Sequence, residues 1–214
     1  MNPGFMSLWI MLIMIILLAT GWKPYLAPDL SRPAMTLFGI VMLALLPVSA
    51  WWSPMRESMH VGIHVSVCFL LLAGLLAFWG EEQWSYKSYL ALCAIMIAVI
   101  WGFVRKIYSY DPVFYWLGPV WDAPLLAGVL CGAFSSSAKH QFGMLIWGAV
   151  LGEWLNTLLQ ARGYTAWIGT LSWWDGFWIA VATARLFAFA LKLLRAALSK
   201  LGILFWHMKG GRSS

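Results

Sequence analysis

Long apolar runs separated by short polar breaks dominate the chain. A helix crossing the hydrocarbon core of a bilayer needs about 20 mostly apolar residues. Seven runs approach that length: 5–21, 34–52, 60–79, 88–104, 118–135, 141–160 and 176–194. The runs are continuous and do not alternate, which predicts spanning helices and not spanning strands. Pro24, Pro28, Pro33, Pro54 and Pro112 fall between runs, where helix breakers belong, and Pro47, Pro119 and Pro124 fall near run ends. The predicted fold is an all-α integral membrane protein. Residues 1–194 form a seven-helix transmembrane bundle, and residues 195–214 a basic amphipathic cytoplasmic tail.

Composition sharpens that picture. The 214 residues are 62% apolar and 10% charged, against about 25% charged in soluble domains. Seven spans leave only short loops, so no soluble domain is expected. The net charge of +6 suits an anionic leaflet better than nucleic acid, which would need a basic soluble face. Cys68, Cys93 and Cys131 each lie inside an apolar run and read as small hydrophobic residues, not as a disulfide framework. No Lys or Arg precedes the first run, so a secretory signal is not expected, and Asn2 stands where N-myristoylation requires glycine.

Orientation follows from the basic residues of the loops. With the N-terminus outside, the inner segments hold Lys23, Arg32, Lys87, Lys139, Lys192, Arg195, Lys200, Lys209 and Arg212. The outer loops hold only Arg56, Arg105, Lys106 and Arg162. This bias predicts N-outside and C-inside. Trp22, Trp51, Trp52, Trp79, Trp84, Trp101, Trp116, Trp121, Trp167, Trp173, Trp174 and Trp178 fall near run ends, the pattern of an interfacial aromatic belt. Small residues four apart suggest close packing: Gly128 and Gly132 on the fifth helix, Gly148 and Gly152 on the sixth, and Ala180, Ala184 and Ala188 on the seventh. The short connection from Ser136 to His140 predicts that helices five and six form a tight antiparallel hairpin.

Ionisable groups inside spans are costly and point to function. Glu153, Asn156, Thr157 and Gln160 share one helical face. Arg185 lies within the seventh run, Asp122 opens the fifth and His64 lies in the third. On these boundaries Glu153 is roughly 10 Å and Arg185 roughly 14 Å from the outer helix ends, depths that allow an ion pair between them. His64 and Asp122 fall in the same half. The cluster reads either as an outward-facing polar cavity or as a set of structural ties. His60, His64 and Cys68 lack a further ligand, so no metal is expected.

Nor is a cofactor or catalytic residue expected. Glu81-Glu82 lacks the following Arg of the glutamate-pair intramembrane proteases and has Tyr86 instead, and Ser135-Ser136-Ser137 lacks the Gly-x-Ser-x-Gly context. Lys192, Arg195 and Lys200 in the tail suit contact with anionic lipid headgroups.

Tyr110-Asp111-Pro112-Val113-Phe114-Tyr115-Trp116, the following Trp121-Asp122, the chain length and the helix layout resemble the YphA-type membrane proteins of spore-forming Gram-positive bacteria. The resemblance implies a bacterial cell membrane and carries over no catalytic residue. The expected function is a non-enzymatic scaffold, assembly or lipid-binding component of the plasma membrane, with a membrane-protein partner. The alternative is a small-solute transporter or channel with an outer cavity around Glu153, Arg185 and Asp122.

Overall fold

The computed structural model describes residues 2–53, 61–110, 113, 116–118, 120–160 and 165–210, with the backbone alone at 110 and 201–210. Its helices are α1 (Phe5–Ala19), the single turn α2 (Lys23–Leu26), α3 (Arg32–Leu45), α4 (Val65–Trp79), α5 (Trp84–Tyr110), α6 (Asp122–Phe134), α7 (Ala138–Leu159) and α8 (Leu171–Gly210). Three short strands, β1 (Trp51–Trp52), β2 (Val61–His64) and β3 (Ala166–Ile168), form one sheet. β1 runs antiparallel to β2, and β2 runs parallel to β3.

This sheet corrects the expected second and third runs. The apolar pattern extends the second to residue 52 and begins the third at 60. α3 stops at Leu45, since Pro47 cannot donate the next helical hydrogen bond. Apolar Trp51–Trp52 and Val61–His64 are strands outside the helices. Hydropathy registers apolar residues, not backbone geometry. Gly62 makes the sheet possible: a Cβ there would lie 2.5 Å from the Trp167 ring, which crosses β2 at that point.

The connections gather at two ends. At the sheet end the strands meet, and Asp175 on α8 holds the start of α1. At the other, the turn end, residue 29 bonds Ser137, Arg185 bonds Tyr25 and Ser136, and Glu81 bonds Lys139 and His140. Among the described residues, three helices have the length and apolarity to cross a bilayer: Trp84–Ser109, Ala138–Leu159 and Leu171–Lys200. α1, α3, α4 and α6 are shorter apolar helices.

α7 is central and packs against α4, α5 and α8. The glycine stripes choose partners other than those expected. Gly148 and Gly152 face α5, where an added Cβ would lie 2.5 Å from Ile97 and 2.8 Å from Trp101. Gly128 and Gly132 face α8, where it would lie 2.6 Å from the Ala180 carbonyl and 2.7 Å from that of Ala184. The tight pairs are thus α5–α7 and α6–α8, and not an α6–α7 hairpin. A short turn makes two helices antiparallel neighbours. Backbone approach goes to whichever surface is smooth enough to receive it, and the Ala180-Ala184 stripe supplies that for α6.

Burial also divides the tryptophans. Trp79, Trp84 and Trp116 stay exposed, as a belt requires. Trp101, Trp173 and Trp174 do not: they are core residues, 0%, 3% and 4% exposed. Trp173 stacks on Phe177 with ring centroids 5.4 Å apart. α8 therefore begins at Leu171, not 176, because Thr170 accepts the Trp173 amide (3.4 Å) and the aromatic residues of the first turn bury.

Candidate functional site

Helix α5 carries Trp101 and Arg105 one turn apart, facing Glu153 on α7. Glu153 is 3% exposed. Its Oε1 accepts the Trp101 indole N–H at 3.0 Å and lies 3.1 Å from Arg105 Nε. The Arg105 contact is an ion pair and not an aligned hydrogen bond. The guanidinium also sits 5.8 Å from the Trp101 ring centroid, a cation–π distance. Gly152 permits the cluster, since the Trp101 side chain fills the space its missing Cβ leaves.

The Glu153–Arg185 ion pair that the predicted depths allow does not form. Arg185 lies 14 residues into α8, about 21 Å from its start. Glu153 lies only about 9 Å from the end of α7. The earlier start of α8 moves Arg185 out of the sheet-end half. Its guanidinium donates instead to the Ser136 carbonyl (3.0 Å), Gln141 Oε1 (3.0 Å) and the Tyr25 carbonyl (2.9 Å). Gln141, 2% exposed, in turn donates to the Ser135 carbonyl. Arg185 thus ties α8 to α2 and to the α6–α7 turn.

The remaining members of the predicted face stay at the sheet end but act locally. Thr157 Oγ1 donates to the Glu153 carbonyl (2.9 Å), and Gln160 Nε2 donates to Asn156 Oδ1 (3.2 Å). Asn156 is buried and Gln160 half-buried. Asp122, 2% exposed, accepts the Trp116 (2.8 Å) and Leu117 (3.0 Å) amides and a bond from the Tyr108 side chain. α5 therefore reaches both buried acids, Glu153 through Trp101 and Arg105 and Asp122 through Tyr108. His64 begins α4: its Nδ1 accepts the Ser66 amide (3.3 Å) and pairs with Ser66 Oγ (2.6 Å). That bonding selects the tautomer with hydrogen on Nε2. His60 lies outside the described residues.

Two further carboxylates, Asp175 and Asp29, carry no signal in the sequence pattern. Asp175, 6% exposed, accepts the Gly4 amide, the Ser7 amide and the Ser7 hydroxyl, each at 2.7 Å. Asp29 accepts the Ser137 hydroxyl (2.7 Å) and the Ala138 amide (3.2 Å). Both neutralise unpaired N–H groups at helix starts, those of α1 and α7, where negative charge is favoured. Capping from a distant helix leaves no local spacing to find. Arg105 did carry a signal, its place four residues after Trp101, but the predicted span stopped at 104.

At the turn end, Glu81 Oε1 lies 2.7 Å from His140 Nε2 and 3.1 Å from Lys139 Nζ. The hydrogen bond from Lys139 and then that from His140 hold the Glu81 carboxyl below the ordinary glutamate range. Tyr86 packs edge-on against the His140 ring at 5.4 Å. Along α8, Lys192, Arg195 and Lys200 are exposed. Chemically, these arrangements hold helix starts, turns and neighbouring helices together by charge-assisted hydrogen bonds.

The model of the YphA-like integral membrane protein family matches residues 3–212. No curated protein and no solved structure matches the chain. The match runs over almost the whole bundle and agrees with the resemblance read from the 110–122 segment. The chain belongs to the YphA-like integral membrane protein family.

Proposed function

We propose that this multi-pass protein crosses the bacterial plasma membrane seven times, N-terminus outside and C-terminus inside, and works without catalysis as a scaffold, assembly or lipid-binding component. One observation carries the reading. Glu153, Asp122, Asp175 and Arg185 are all engaged by protein donors or acceptors that join one element to another. Three buried acids and a half-buried arginine engaged in this way fix helix order and leave the outer surface for recognition. The alternation of connections between the sheet end and the turn end supports the seven crossings. α1, α3, α4 and α6, too short for a full ~30 Å core, would cross with their flanking segments or a locally thinned bilayer. Lys192, Arg195 and Lys200 on the far part of α8 suit an anionic inner leaflet and a partner docked there.

Two measurements test this. In the topology experiment, a cysteine at Trp167 labels from outside intact cells, and one at Lys200 labels only after permeabilisation. Reversed labelling refutes the orientation. In proteoliposomes the protein retains anionic lipid through detergent washing and conducts no small solute. A solute flux that disappears in Glu153→Gln overturns the non-transport reading.

A further inference from the structure

The turn between α4 and α5 places a cation among aromatic rings. Trp79 ends α4, Trp84 starts α5, and both are strongly exposed, 70% and 75%. Lys87, one turn into α5 and half-buried, holds its Nζ 5.3 Å from the Trp79 ring centroid and 5.4 Å from that of Trp84. An ammonium over two indole faces is attracted by both ring quadrupoles and loses much of its freedom. Two acids lie in the same turn. Glu81 is turned away onto Lys139 and His140, and among the described residues no carboxylate pairs with Lys87 within 4.0 Å. Neither exposed indole N–H has a protein acceptor among the described residues.

Indoles at the end of a spanning helix sit at headgroup depth, and a lysine stem lies along apolar surface while its charge reaches the interface. The ammonium is thus held by two rings with no carboxylate within 4.0 Å among the described residues, and indoles at a helix end suit headgroup depth, each ring carrying an N–H donor. We infer that Lys87, Trp79 and Trp84 form a phospholipid-headgroup site that binds the phosphate of an anionic glycerophospholipid. The site rests on the lipid-binding half of the function proposed above. It is distinct from Lys192, Arg195 and Lys200, and it holds whichever end of the bundle faces the cell interior. Two rings restrain the cation before the lipid arrives, so less freedom is lost on binding.

The test uses the full chain in detergent micelles, titrated with dioleoylphosphatidylglycerol and read by native mass spectrometry as one-to-one adducts. Lys87→Gln, and separately Trp79→Leu/Trp84→Leu, each weaken the first adduct about fivefold, the equivalent of ~1 kcal/mol. Lys87→Arg retains it. A Lys192→Gln/Arg195→Gln/Lys200→Gln variant leaves it unchanged, and millimolar inorganic phosphate does not displace it. The substituted side chains are exposed except for the half-buried Lys87, and unchanged melting temperatures establish that the variants fold. Equal binding by wild type and Lys87→Gln overturns the site but leaves lipid binding standing. Loss of the adduct in the triple variant alone moves the site to α8. Displacement by phosphate makes it an anion site with no lipid preference. No adduct in any protein removes both the site and the lipid-binding reading.

Discussion

Replacing Glu153 separates the two pairings on which the sheet-end geometry turns. Its Oε1 lies 3.1 Å from Arg105 Nε and 3.0 Å from Trp101 Nε1, and the residue is 3% exposed. At an effective dielectric of about 20, unit charges that close attract by roughly 5 kcal/mol, from which the desolvation of both groups is subtracted. The net pair is worth far less than the damage of breaking it. Glu153→Ala leaves a half-buried guanidinium and a buried indole N–H unpaired, so it should cost ~2–4 kcal/mol. Glu153→Gln keeps an acceptor for Trp101 and should cost about 1–2 kcal/mol. For a chain this long, each kcal/mol is about 2–4 °C in melting temperature. The double variant Glu153→Gln/Arg105→Gln should recover part of the single losses, with a coupling of about 1–2 kcal/mol. Arg185 supplies the control. Its partner Gln141 lies twelve residues before Glu153 on α7, about 18 Å along the axis. Glu153→Gln and Arg185→Gln should therefore add within ~0.5 kcal/mol. Thermal unfolding of these variants in one detergent decides it, with Arg105→Gln and Glu153→Gln/Arg185→Gln completing the two cycles. Coupling to Arg185 with additivity at Arg105 would refute the arrangement of α7 and α8.

Asp175→Ala removes the acceptor of three N–H and O–H donors at the start of α1. It should destabilise the protein by ~3 kcal/mol and expose a cysteine placed at Ser7, while Asp175→Asn costs less; an unchanged labelling rate at position 7 would count against this anchor. Gly132→Val drives a side chain to within 2.7 Å of the Ala184 carbonyl and should cost ~2 kcal/mol. The same change at Gly39, where nothing lies within 4 Å, should produce little or no loss, and equal losses at the two sites would show that close approach is not the cause. The Glu81 carboxyl is held below its ordinary value by Lys139 and His140, so its contribution is complete above about pH 4.3 and lost as pH falls through the depressed folded value. The melting temperatures of wild type and Glu81→Gln should therefore converge on acidification and separate at neutral pH.

Much of the architecture was legible along the chain because bilayer chemistry writes itself into composition. Apolar runs with prolines between them marked a helical membrane protein, and the 110–122 segment pointed to the family that the match over residues 3–212 bears out. Glu153 and Asp122 were singled out because an ionisable residue in an apolar run is conspicuous, and both proved buried. Their partners were not legible. Helix ends shift by several residues wherever a cap or a strand replaces expected helix, and five residues at the start of α8 carried Arg185 to the other end of the bundle. A glycine stripe marks a surface that admits close approach without naming the helix that takes it. Capping by Asp175 and Asp29 joins residues 168 and 109 positions apart, which no local periodicity encodes. Local physics along the chain determines which segments leave water. Which buried charge meets which partner is decided only once the helices pack, because a hydrogen bond depends on distances of a few tenths of an ångström and hydropathy resolves position to about a helical turn.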